Sequence, residues 1–77
     1  MSYRDIIQAE TACSDEDTFE VEEMLRQIHG GTLDHLSLTA LTSDARVCYG
    51  DLLLIRKTDP DWSPDPAMKA ARRKRGA

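Results

Sequence analysis

Few side chains in this 77-residue sequence could do chemistry. Asp59, Asp61, Ser63 and Asp65 alternate like the opening of a calcium loop. Such a loop then needs Gly at its sixth position and Glu at its twelfth. Pro64 and Ala70 stand there, so the spacing excludes an EF-hand. Cys13, His29, His35 and Cys48 are all metal-ligand types, but no two form a C-x₂-C or H-x₃-H pair of the kind zinc sites use. A metal site is not expected. Cys48 with His35 could in principle make a nucleophile and its base, but the pair would need a cleft that a chain this short hardly provides. Gly30-Gly31 follows a helical pattern rather than a strand, which is the wrong context for a phosphate-binding loop. The expectation is a non-enzymatic protein with no cofactor and no small-molecule substrate.

Three helical patterns account for the apolar residues. Ser2-x-x-Asp5 resembles a capping box and opens the first, with Tyr3, Ile6, Ile7 and Cys13 at roughly helical spacing. Val21, Met24, Leu25 and Ile28 stand at i, i+3, i+4 and i+7, predicting a second helix from about Asp17 to His29, ended by Gly30-Gly31. Phe19 fits that stripe poorly and is expected to pack back on the first helix. After a short turn at Leu33–Leu36, Ser37 caps the third pattern: Leu38, Leu41, Ala45, Cys48, Leu52 and Ile55. This heptad-like stripe predicts a helix of about 20 residues, or about 30 Å. Ser43-Asp44 could split it in two. Gly50-Asp51 between two apolar runs gives the rival, an α+β chain with a hairpin at that pair. The six-position stripe favours the all-α reading: a three-helix arrangement with a long third helix.

All fifteen Leu, Ile, Val and Phe residues lie in 1–57, which reads as a helical body. Residues 58–66 are rich in Asp and Pro and read as an extended linker. Residues 67–77 form a basic tail, with Asp65-Pro66 as a helix cap and first helical residue ahead of it. Charge is segregated. Residues 10–23 hold seven acids and no base, whereas 66–77 hold five bases and no acid, inside a net charge of -4. The acidic stretch reads as the solvated face of a surface helix, or less simply as a face for a basic partner. Cys13 and Cys48 read as reduced, buried, small apolar side chains, because a secreted domain this small usually carries more cysteines.

The longest apolar run, Leu52-Leu53-Leu54-Ile55, is far too short to cross a bilayer, and no signal peptide is expected. A cytoplasmic protein is therefore expected, or a nuclear one in a eukaryotic host, where Arg72-Arg73-Lys74-Arg75 would read as an import signal. Two short helices can barely cover a 30 Å stripe, so part of it should remain exposed. That implies a protein-interaction module: a homo-oligomer, or a small adaptor, inhibitor or assembly component in the style of a bacterial or phage accessory protein. Its expected interface is Leu38, Leu41, Cys48, Tyr49, Leu52, Leu53, Ile55 and Trp62. The alternative is a nucleic-acid-binding protein whose Lys69, Arg72, Arg73, Lys74 and Arg75 contact phosphate or an acidic partner.

Overall fold

Three serines start three helices. Ser2, Ser14 and Ser37 each adopt an extended backbone and accept, through Oγ, the amide three residues on: Asp5 at 3.2 Å, Asp17 at 3.2 Å and Ala40 at 3.1 Å. The computed structural model describes residues 2–67 and residue 70. The helices are α1 (Tyr3–Thr11), α2 (Asp15–Ile28) and α3 (Leu38–Thr58), with no strand among the described residues. The arrangement is all-α, as the spacing implied.

Two boundaries differ from the sequence reading. α2 begins at Asp15 rather than Asp17, because Ser14 is the cap and Asp15, Glu16 and Asp17 fill the first turn, where the helix dipole favours acids. Cys13 does not continue the α1 stripe. Ala12 is left-handed at φ 53° and its amide donates to Gln8 O at 2.8 Å, which ends α1 at Thr11, two residues before Cys13. Cys13 instead fills the α1–α2 corner, its Sγ 3.0 Å from Thr11 Oγ1 and 3.2 Å from Thr18 Oγ1. At the other end of α2, Gly30 and Gly31 take φ 76° and 104°, and Gly31 N donates to Arg26 O at 2.7 Å. This six-to-one closure is what the glycine pair was expected to supply. The connection onward is pinned by Leu33, fully buried, within a turn closed by Leu36 N donating to Leu33 O at 3.1 Å.

α3 runs unbroken for 21 residues; neither Ser43-Asp44 nor Gly50 interrupts it. Its inner face supplies Leu41, Ala45, Cys48 and Leu52 to a core completed by Ile7, Val21, Leu25 and Leu33. Each helix packs on both others. Two short helices thus cover the middle of the long stripe, while Leu38 at its start stays 64% exposed. Gly50 faces open space in an ordinary helical conformation, so nothing in the fold requires a glycine there. Gly50→Ala should raise stability by up to about 1 kcal/mol. A shift of the urea midpoint upward, with unchanged slope, is the expected readout.

Residues 58–66 do not extend away from the body. Asp59 N caps α3 on Ile55 O at 2.9 Å, and Trp62 N turns back onto Asp59 O at 3.0 Å. Trp62 then packs against the core, Ser63 is buried, and Gln27 Nε2 on α2 donates to Pro64 O at 2.8 Å. The prolines do prevent regular structure, but burial of the indole outweighs extension. Asp65 Oδ1 accepts Ala67 N at 2.9 Å, which is the cap expected ahead of Pro66.

Candidate functional site

The reactive residue types are held in structural roles. His29 Nε2 lies 3.0 Å from Asp44 Oδ2, tying the end of α2 to α3, and the rings of His29 and His35 meet edge-on at 5.3 Å. Among the described residues no group of three or more His, Cys, Asp or Glu side chains could hold a metal ion. Burial pushes the Cys48 thiol up to about 11, with Asp51 and Asp44 adding to the shift. A thiolate is the nucleophilic form, and at pH 8 only about 0.1% of such a thiol is ionised. Cys48 in the folded chain should therefore react with a disulfide reagent far more slowly at pH 8 than in urea, and accelerate as pH rises toward 11. Thiol titration with stopped-flow detection checks this.

The acidic stretch is turned inward more than its composition suggests. Glu20 is fully buried and Glu22 nearly so. Arg56, in the last turn of α3, grips two acids at once: Nη2 to Glu20 Oε2 at 2.7 Å and Nη1 to Asp17 Oδ1 at 2.6 Å. Glu22 accepts Arg4 Nε at 3.2 Å and Arg26 Nη2 at 2.7 Å. The Arg4 guanidinium also lies 3.8 Å over the Phe19 ring, so Phe19 does reach back to α1. Arg46 Nε stands 3.9 Å from Glu10 Oε2. A purely solvated acidic face is thus the wrong picture, since three of its acids close the fold. Every arginine among the described residues has an acidic partner in the chain.

What these ties leave uncovered is a groove between α2 and α3. Met24, Gln27, Ile28, Asp51, Leu54, Ile55 and Trp62 line it, around a volume of about 570 Å³. Ile28 and Leu54 face each other across it at 66% and 60% exposure, while Met24 and Trp62 pack inward against the core and form its floor. Gln27 helps fix one wall through its bond to Pro64 O. Asp51 is the charged residue of the lining. A smaller hollow of about 310 Å³ lies between α1 and the start of α3, lined by Ile6, Ala9, Glu10, Leu38 and Thr42.

The eight expected interface residues separate accordingly. Leu41, Cys48 and Leu52 are inside the chain's own core, at most 2% exposed, so no partner can reach them in the folded chain. The stripe that marks them is the seam to α1 and α2, not a bare strip. Tyr49 is half-buried against that core, Leu53 is exposed, and Leu38 lines the second hollow. Ile55 and Trp62 do line the groove. Met24, Gln27, Ile28 and Asp51 were not expected there, since periodicity assigned Met24 and Ile28 to the buried face of α2. Lys69, Arg72, Arg73, Lys74 and Arg75 lie outside the described residues.

No helix among the described residues is long and apolar enough to cross a membrane. Comparison with protein-family models, with curated proteins and with solved structures finds no match to this chain.

Proposed function

We propose that this chain is a non-enzymatic protein-interaction module that receives a segment of a partner protein in the α2–α3 groove. The observation that carries the reading is the concave apolar lining: Ile28 and Leu54, two large aliphatic side chains more than half exposed, stand over a floor of Met24 and Trp62, with Ile55 beside them. Contiguous exposed apolar surface in a small chain marks an interaction site. A groove between two packed helices suits an inserted amphipathic segment, whose apolar side chains enter at helical spacing. Trp62 supplies an aromatic of the kind enriched at binding hot spots. A protein segment is favoured over nucleic acid, because residues 2–67 carry fourteen acids and five bases and so repel phosphate.

Selection of a random-peptide library against the immobilised full chain tests this. The expected result is enrichment of peptides that lose at least about tenfold in affinity on Leu54→Gln or Ile28→Gln, the scale of losing one buried aliphatic contact. Both substitutions lie at the surface, so the thermal midpoint should hold. Failure to enrich any binder, or binders indifferent to both changes, would overturn the proposal.

A further inference from the structure

The groove is not electrically neutral, and its charge bears on what can enter it. Asp51 projects into the lining, and no basic residue is among the residues that form it. Asp44 lies seven residues, two turns, before Asp51 on the same flank of α3. Cys48 stands one turn from each, so the two acids bracket it on this side of the helix, about 10 Å apart along the axis. The nearby cations do not offset them. Arg4, Arg26, Arg46 and Arg56 are all drawn to other carboxylates, and Lys57 stands about a third of a turn around α3 from Asp51. His29 Nε2 lies 3.0 Å from Asp44 Oδ2, so Asp44 is already engaged and Asp51 is the carboxylate that the lining itself offers.

The architecture bears on the occupant's form. α1 packs against both α2 and α3, yet contributes nothing to the groove lining. The α2–α3 pair therefore offers a second face on which one more helix can lie, in the way a fourth helix completes a bundle.

Resting on the reading of the groove as a docking site, we infer that its occupant is a cationic amphipathic helix of a partner protein, with apolar residues against Ile28, Leu54 and Trp62 and basic residues along the Asp51 and Asp44 flank. The apolar face gives most of the affinity. The basic flank fixes orientation and excludes acidic helices of equal hydrophobicity, which is the usual part played by charge at a docking site.

Two synthetic peptides test this against the full chain. Both have about 18 residues, enough for five turns, and share one leucine stripe at i, i+3, i+4 and i+7. The flanking positions are Lys in one and Glu in the other. Fluorescence of Trp62, the one tryptophan, reads binding from within the groove. At about 50 mM salt the Lys peptide should bind at least about tenfold more tightly, and that ratio should shrink at about 500 mM as screening shortens the reach of the carboxylates. Asp51→Lys should cut the ratio or invert it, while Leu54→Gln should weaken both peptides. Equal binding of the two peptides, or a ratio indifferent to Asp51→Lys, overturns the inference. If that equal binding still falls with Leu54→Gln, the charge inference alone fails and the groove reading stands. If neither peptide binds, the inference fails, and the library selection decides the groove reading separately.

Discussion

Arg56→Ala should cost the chain about 3–5 kcal/mol of stability. Glu20 is fully buried, and Arg56 Nη2 holds its Oε2 at 2.7 Å while Nη1 reaches Asp17 at 2.6 Å. Removing the guanidinium takes a charged partner from that buried carboxylate, and breaking a buried pair from one side costs about 3–5 kcal/mol. A chain of this size has roughly 4–12 kcal/mol in total, so the loss consumes much of it. The companion substitution separates the cause. Replacing Arg56 and Glu20 together by leucine removes both buried charges and should recover most of the stability, because apolar replacements of a buried pair are often neutral or better. Asp17, more open to solvent, tolerates the loss of its partner. Urea melts of the two variants decide it: a single mutant as stable as wild type would show that Glu20 does not depend on Arg56.

The second large effect divides two neighbours on α3. Leu52→Asp puts a charge where the side chain is fully buried among Ile7, Val21 and Leu25, and adds a cavity to it. A loss of about 4 kcal/mol or more is expected. Leu54→Asp, two residues on, places the same chemistry at a 60% exposed site and should cost within about 0.5 kcal/mol. Far-UV circular dichroism melts should show a collapsed transition for the first and a near wild-type one for the second. Similar melts would mean that α3 is rotated about its axis from the orientation described.

The fold was legible where its causes are local. Ser2 and Ser37 cap because a short hydroxyl can reach an amide three residues ahead, and Gly30-Gly31 stop α2 because their backbone can turn left-handed. The apolar spacing from Leu38 to Ile55 indicated one long α3 for the same reason. The site was less legible because its causes are distant in sequence. Periodicity puts Ile28 and Leu25 on one face, but cannot say that Leu25 is covered and Ile28 is not. Nor can it say that Asp17 and Glu20 turn inward, since the arginine that draws them in stands 39 and 36 positions away. Trp62 sits among prolines and aspartates that locally favour extension, and the groove it docks beside forms only after α2 and α3 have met. Leu41, Cys48 and Leu52 read as interface because a stripe of apolar residues looks the same whether its cover comes from within the chain or from another.

The Arg56 clamp also bears on which parts of the molecule open. The final turn of a helix ordinarily frays, and its amides exchange with solvent by small local excursions. Here that turn is bolted to the first turns of α2, and Asp59 and Trp62 fold back directly after it. Amides from Ile55 to Asp59 should then exchange deuterium nearly as slowly as those of the interior, through cooperative opening of the whole chain, and lose that protection in Arg56→Ala under conditions that keep it folded. A wall of the groove held in this way stands ready in the absence of any ligand. An incoming helix would find Leu54 and Ile55 already in place, and association would proceed without the entropic toll of freezing its receptor.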